Sequence, residues 1–224
     1  AILVMSELGL REDANESKDN CFRDIRSSGR ILLDNINSIL DLSKIEAGKM
    51  EISQESYHIH SPFHDVVTIL RMRAQEKKLD FHAQLDENIP TTLYGDDVNI
   101  SHIVMNLGGN AIKYTPDGGH IRVTAGAGPD TAWMEVRDDG IGIPEKDRER
   151  IFDRFYRVDK ARSRESGGTG LGLSIAREIV QRHHGTISLV PHEGPGTTVR
   201  LELPITQPAP GAPEDAAEST SDQQ

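Results

Sequence analysis

Three segments rich in glycine or asparagine divide the second half of the chain. They limit its fold more than any other feature: Asn106–Asn110 within NLGGNAIKYT, Asp138–Ile143 (DDGIGI) and Gly167–Leu173 (GGTGLGL). Glycine tolerates positive φ and close approach, and it weakens the interiors of helices and strands. Runs of it therefore mark places where regular structure starts, stops or is closely approached. DDGIGI follows on the strand-like AWMEV after one arginine, GGTGLGL opens the helix-like SIAREIVQRH, and NLGGNAIKYT lies within a helical stretch.

Around these segments the apolar residues alternate. Leu79, Phe81, Ala83 and Leu85 form one set, followed by Ile121, Val123 and Ala125, and by Ala132, Met134 and Val136. Ile187 and Leu189, then Val199, Leu201 and Leu203, repeat the pattern. Period two predicts strands with one buried face. Helices are predicted near 96–114 and 170–184, and another starts at Ser61-Pro62, with Ser as cap and Pro at the first helical position. That helix carries Phe63, Val66, Val67 and Leu70 on one side. The irregular order of strands and helices predicts an α+β fold, a mixed sheet covered by helices on one face.

The N-terminal part reads differently. From about Ser17 to Met50 there is no proline, and Phe22, Ile25, Gly29, Leu32, Ile36 and Ile39 recur in steps of three and four. That is a heptad seam on a helix that would run roughly 50 Å. Leu33, Leu40 and Leu42 widen the stripe toward that of a four-helix bundle, which a helical hairpin would complete by dimerising. The alternative is a solvent-facing amphipathic helix. Residues 51–60 read as a polar, partly extended linker, and 206–224 as a disordered acidic tail. The expected organisation is a helical-hairpin segment over 1–50, a linker over 51–61, a nucleotide domain over 62–205 and the tail over 206–224.

Charge and cysteine content exclude some classes. A net charge of −11 argues against a nucleic-acid groove. Cys21 is the only cysteine, so no intrachain disulfide exists and a reducing compartment is expected. No apolar run reaches the length of a membrane span, and the opening AILVM lacks the basic start of a signal peptide. The expectation is a soluble, cytoplasmic segment cut from something longer.

The three segments carry complementary chemistry. Asn106, Asn110 and Lys113 fall at i, i+4 and i+7 of the predicted helix and share one face. Carboxamide oxygens suit a hard cation such as Mg²⁺ and do not repel a polyanion, while the ammonium can reach a phosphate. Alone, these residues read equally as a polar helix face. If Asp138 keeps the inward phase of Val136, it is a buried carboxylate that needs a donor such as the exocyclic amine of adenine. Alone, Asp-Gly after a strand reads as a turn.

The third segment combines close-approach glycines with a helix N-terminus that favours phosphate. KARSRES, not a strand, precedes it, so a dinucleotide fold is excluded, and no Gly-Lys-Ser/Thr follows to make a P-loop. In the intervening IPEKDRERIFDRFYRVDKARSRES, the side chains of Phe152, Phe155 and Tyr156 are expected to pin the stretch to the domain. Arg157, Arg162 and Arg164 read either as a lid over phosphates or as a solvated loop face. Together the segments make a kit for a magnesium–nucleoside triphosphate.

With these motifs the chain resembles the sensor histidine kinases of two-component signalling systems. NLGGNAIKYT is similar to their asparagine motif, DDGIGI and GGTGLGL to their two glycine motifs, IFDRFYR to their phenylalanine motif, and Gly194-Pro195-Gly196-Thr197 to their last glycine turn. RILLDNINSILDLSKIEAGKM resembles the second helix of their dimerisation domain. The resemblance implies an α/β sandwich of the Bergerat ATP-binding type behind a helical hairpin, homodimerisation through residues 1–50, and ATP and Mg²⁺ as cofactors. It further implies that Asp138 reads adenine, Asn110 is the main metal ligand and Asn106 an auxiliary one. Asn106, Lys113 and Arg157 would be catalytic. Tyr114, Gly140, Gly142, Ile143, Gly168, Thr169, Gly170, Leu171, Gly172, Leu173 and Thr197 would line the nucleotide site. The implied reaction is a phosphorelay: from ATP to a histidine, then to an aspartate of a response-regulator receiver domain. Neither nucleic acid nor membrane contact is expected of this segment, although the whole sensor could be membrane-anchored.

The departures are informative. Nothing in the 224 residues resembles the family's acceptor motif Ser-His-Glu-Leu-Arg-Thr-Pro-Leu. AILVMSELGL is similar to the sequence just downstream, so the acceptor histidine is expected roughly eight residues before Ala1, in a longer protein. None of the nine histidines replaces it. His183-His184 reads as a helix end where cationic side chains suit the dipole. His102 reads as packing or surface, and His58, His60 and His64 lie in or beside the linker. Gly108-Gly109 is expected to interrupt the metal-binding helix. Asn99, where the family often has Arg, reads as structural. ATPases of the gyrase, chaperone and mismatch-repair type need a carboxylate at the position of Asn106, and an amide cannot accept a proton from water. An ATP-binding module without kinase activity is the other alternative.

Overall fold

The computed structural model describes residues 6, 15–53, 55–158, 169–192 and 194–205. The chain runs α1 (Asn15–Glu46), β1 (Glu55–His58), α2 (His60–Glu76), β2 (Asp80–Leu85), β3 (Thr92–Gly95), α3 (Asp97–Tyr114), β4 (His120–Ala127), β5 (Thr131–Asp138), α4 (Gly172–Arg182), β6 (Thr186–Leu189) and β7 (Thr197–Pro204). A single 3₁₀ turn, Glu145–Asp147, follows β5. The five-stranded sheet has the order β2-β4-β5-β7-β6. Only β2 and β4 pair in parallel; the other neighbours are antiparallel. This is the mixed sheet that the alternating patterns predict.

Each alternating set turns its apolar residues to one face. Ile121, Val123 and Ala125 on β4, Met134 and Val136 on β5, and Val199, Leu201 and Leu203 on β7 are buried there. Helices α2, α3 and α4 cover that face with Val66, Leu70, Ile103, Leu107, Ile175 and Ile179, in one continuous core. The opposite face is charged: the Arg200 guanidinium lies 4.6 Å from the Trp133 ring and bonds Glu202 at 2.8 Å.

Helix α3 is fixed at its start by Asp96, which is buried and in extended backbone. Its Oδ1 accepts the Asn99 N–H at 2.9 Å and its Oδ2 accepts from Asn99 Nδ2 at 2.8 Å, a side-chain N-cap. Asn99 thus serves the cap, in agreement with a structural reading. Asp96 Oδ2 also accepts the Ser53 N–H at 3.0 Å, tying the segment after α1 to the domain.

Several expectations change. The stretch read as a linker contains β1, which pairs antiparallel with β3 in a separate two-stranded sheet. The residues of β1, ESYH, carry no alternating apolar pair that would announce a strand. Helix α2 starts at His60, with Ile59 at its N-cap and no side-chain cap, so Ser61 and Pro62 lie inside the first turn. His183 is not a solvated cation at a helix end but is fully buried. Its Nε2 accepts the Asp96 N–H at 3.4 Å and its Nδ1 faces the Ile179 carbonyl at 2.8 Å, the pattern of a neutral imidazole. Its partner, Asp96, is 87 residues away in sequence, beyond the reach of a local pattern.

Leu42 also departs from the expected seam. It is buried with Ile45 and Met50 in the core of the domain, whereas Phe22, Leu32, Leu33, Ile36, Ile39 and Leu40 on α1 are exposed. Arg182 donates to the Met50 carbonyl at 3.0 Å, and Arg154 bonds Glu46 at 2.9 Å. The last turn of α1 therefore belongs to the core below it, while farther up the helix these six residues face outward and Cys21 is buried.

Gly108 and Gly109 do not interrupt α3, which is continuous from Asp97 to Tyr114. A Cβ on Gly108 would lie 2.5 Å from Leu70 Cδ1, whereas one on Gly109 would meet nothing within 4 Å. Gly108 is there so that α2 can approach α3. Gly108→Ala should destabilise the fold by about 1–3 kcal/mol through overpacking. Gly109→Ala should stabilise it by about 1 kcal/mol through helix propensity. Thermal unfolding of the two variants checks this, and shifts of the same sign would contradict it.

Candidate functional site

Asp138 closes strand β5 in the same phase as Met134 and Val136, so its side chain points into the interior and is 8 % exposed. Its Oδ1 accepts the Gly140 N–H at 2.9 Å and the Thr197 N–H at 3.3 Å. Both described donors fall on one oxygen, Oδ1. Burial raises the Asp138 pKa above the ordinary carboxylate range, and the two backbone donors oppose that shift.

The loop after Asp138 is pressed between two neighbours. A Cβ on Gly140 would stand 2.6 Å from the Tyr114 carbonyl oxygen, which also accepts the Ile141 N–H at 3.2 Å. On the other side Gly142, at φ +69°, abuts the Gly196 carbonyl, and Gly196, at φ +103°, lies directly on the Asp138 carbonyl. Ile143 follows, and its carbonyl accepts from Arg148 Nε at 3.3 Å. At the base of the loop, Asp139 accepts from the His120 backbone N–H at 2.7 Å and faces its Nδ1 at 2.8 Å. These contacts raise the His120 pKa and lower that of Asp139.

Asn106, Asn110 and Lys113 are partly buried on α3. A Cβ on Gly172 would lie 2.9 Å from Asn106 Oδ1, so the first turn of α4 rests against the amide-bearing face of α3. Lys113 Nζ sits 5.2 Å from the Tyr114 ring centroid. The Lys113 pKa is lowered, first by burial and then by the charge of Arg157. The charge of Arg157, from a segment more than forty residues downstream, is thus felt at Lys113. Neighbouring positive charges of this kind attract anions.

The glycine segment is described from Thr169 onward; Gly168, Arg162 and Arg164 lie outside the described residues. The Leu171 N–H donates to Thr169 Oγ1 at 3.3 Å, and Leu171 is fully buried. Helix α4 begins after Leu171, which provides no side-chain cap. Leu173 packs against the core. Gly170, at φ +73°, accepts the Phe155 N–H at 3.0 Å, and a Cβ there would lie 2.9 Å from the Phe155 carbonyl carbon.

The phenylalanine segment is thus pinned, but not as expected. Phe152 is buried, yet the Phe155 ring is 64 % exposed and its backbone is left-handed at φ +61°. Its anchor is the backbone bond to Gly170, a partner that side-chain hydrophobicity cannot reveal. Tyr156 adds a 2.6 Å bond from its hydroxyl to Asp147. Nothing in the sequence pattern marked His120, Asp139 or the seating of Gly196 on Asp138. A doubled aspartate and the glycines of GPGT were the only signals.

Among the described residues, no group of three or more His, Cys, Asp or Glu side chains is placed to hold a metal ion. A hard cation here would depend on the amide oxygens of α3 and on oxygens of a ligand, a donor set that fits Mg²⁺. No described helix is long and apolar enough to cross a membrane.

Comparison with known proteins agrees with this geometry. Residues 95–207 match the family described as histidine kinase-, DNA gyrase B- and HSP90-like ATPases. The chain is 38 % identical over 177 residues to the sensor histidine kinase WalK of Bacillus subtilis, covering 77 % of this chain and 28 % of WalK. It spans about a quarter of the length of the curated relatives it matches. Full-length ShkA in complex with AMPPNP superposes with a TM-score of 0.71 at 25 % identity, covering 92 % of this chain and 42 % of ShkA. The histidine kinase ThkA, in complex with the response regulator protein TrrA, superposes at 0.64 with 22 % identity, covering 91 % of this chain and 56 % of ThkA, and shares the fold. The chain belongs to the histidine kinase-, gyrase B- and HSP90-like ATPase family, and the matched region is its ATP-binding domain.

Gly196 is the most constrained glycine of the site. Gly196→Ala combines an unfavourable φ with direct overlap on the Asp138 backbone, and should destabilise the fold by about 2 kcal/mol or more. Urea unfolding measures this; an unchanged midpoint would show that the turn does not rest on Asp138.

Proposed function

We propose that this chain binds Mg-ATP and is the phosphoryl-donor part of a two-component sensor histidine kinase. The observation that carries the reading is Asp138: a buried carboxylate at the end of a central strand, its Oδ1 engaged by two backbone N–H groups and its Oδ2 available to the exocyclic amine of adenine. Gly140, Gly142, Ile143 and Thr197 frame the purine beside it. Tyr114, with Gly168, Thr169, Gly170, Leu171, Gly172 and Leu173, contacts the rest of the nucleotide, and the uncapped start of α4 faces phosphate.

Asn110 is the main magnesium ligand and Asn106 an auxiliary one. Bound magnesium supplies charge neutralisation at the phosphate oxygens. Lys113 and Arg157 add positive charge where the γ-phosphoryl group leaves. A histidine nitrogen, supplied by an acceptor helix outside these 224 residues, attacks the γ-phosphorus. The bond to the β–γ bridging oxygen breaks and ADP departs. The phosphoryl group then passes to an aspartate of a response-regulator receiver domain. Asn106 separates this reading from a hydrolytic ATPase, because an amide cannot take a proton from attacking water. The exposed apolar residues of α1 form the homodimer interface over residues 1–50, and the unit works in the cytoplasm.

Incubating the chain with Mg-ATP and a histidine-bearing acceptor domain tests the whole. Acid-labile, base-stable label on the acceptor is expected. Asn110→Ala should abolish metal-dependent nucleotide binding with the fold intact. Asp138→Asn should weaken ATP binding at least tenfold, as loss of a charged hydrogen bond to a buried donor would. ATP affinity should also fall on acidification through the raised Asp138 pKa, because the carboxylate is the accepting form. Asp138→Asn should lack that dependence. Unlabelled acceptor together with an indifferent Asp138→Asn variant would refute the proposal.

A further inference from the structure

The lysine that follows α2 reaches across to the far end of α3. Lys77 is the C-cap residue of α2, and its backbone N–H donates to the Ala74 carbonyl at 3.1 Å. Its side chain leaves that helix altogether. Lys77 Nζ lies 2.7 Å from the Ile112 carbonyl oxygen, 2.9 Å from that of Lys113 and 2.7 Å from that of Thr115. An ammonium has three N–H donors, so all three are spent on one turn of backbone. These bonds are charge-assisted and placed where a helix C-terminus concentrates negative dipole charge.

The location gives the contact its meaning. Lys113 and Thr115 flank Tyr114, whose carbonyl accepts the Ile141 N–H and supports Gly140. The turn beyond is held from the same side: the Gly118 N–H donates to the Lys78 carbonyl at 3.1 Å, and the Asp80 N–H to the Gly119 carbonyl at 2.9 Å. Lys77 therefore fixes the peptide groups at which the asparagine segment and the DDGIGI loop meet, without itself lining the site.

We propose that Lys77 is a positioning residue for the nucleotide site, setting Lys113 and Tyr114 on one side and Gly140–Ile141 on the other. The proposal rests on the nucleotide-binding reading above only for its functional consequence. Ordinary helix capping would stabilise the fold alone; positioning must also be felt at Ile141 and in nucleotide affinity.

The test compares the full chain with Lys77→Met, which keeps a long flexible side chain but no charge, and with Leu203→Ala as a destabilised control at the other end of β7. Amide hydrogen exchange and titration with Mg-ATP are measured well below each unfolding midpoint. Lys77→Met should speed exchange at the Ile141 amide at least tenfold and weaken Mg-ATP binding at least fivefold. Leu203→Ala should change neither. Wild-type exchange at Ile141 and wild-type affinity in Lys77→Met, or equal losses in both variants, would overturn the proposal. If the unmodified chain binds no Mg-ATP, the nucleotide reading fails, while exchange at Ile141 still decides the role of Lys77.

Discussion

The structure turns on a buried carboxylate that two backbone N–H groups hold through one oxygen. Asp138 ends β5, which lies between β4 and β7 in the sheet. Burying a carboxylate is expensive unless it is hydrogen-bonded. Here Gly140 and Thr197, 57 residues apart along the chain, both donate to one oxygen. Meeting that need draws the loop after β5 and the start of β7 together. Gly196 can then lie on the Asp138 backbone only because it lacks a Cβ. The glycines of two distant segments are thus conditions for one buried charge to be held at a strand end.

The same economy of close approach governs α3. Gly108 admits Leu70 on one side, Asn106 meets Gly172 on another, and the C-terminal carbonyls converge on Lys77. The helix carrying Asn106 and Asn110 is located from three directions. Its regular geometry then places Asn106, Asn110 and Lys113 on one face without further help. Rigid support of this kind would suit the proposed phosphoryl transfer, in which the protein contributes positioning and charge more than covalent chemistry.

Helix α1 has a divided character. Its last turn sends Leu42 and Ile45 into the core and is tied by Arg154, while Arg182 holds the Met50 carbonyl just beyond it. The residues above it keep Phe22, Leu32, Ile36 and Ile39 in the open. Exposed apolar residues at heptad spacing are the material of a helix–helix interface. The domain therefore meets α1 at the point where the helix stops facing the core and starts facing outward.

Local periodicity made much of this legible. The five strands of the main sheet, α3 and α4 follow from apolar residues spaced by two or by three and four, because one face of each element must be buried. The phase of Val136 offered Asp138 as an inward carboxylate, with a simple Asp-Gly turn as the competing reading. Residue types also identified the amide and glycine segments as chemically complementary, and their order matched a family. What periodicity could not carry were contacts between residues far apart in sequence. The β1–β3 pairing, the burial of His183 against Asp96, the diversion of Leu42 and the reach of Lys77 to α3 all belong to that class. So does Phe155, whose aromatic ring promised burial but whose backbone, not its side chain, holds the segment. The sequence alone determined which residues must face inward and which chemistry they bring, since both are properties of side chain and spacing. Only the tertiary structure decided which distant backbone groups would satisfy them, because that depends on where the packed helices and the sheet bring the chain back upon itself.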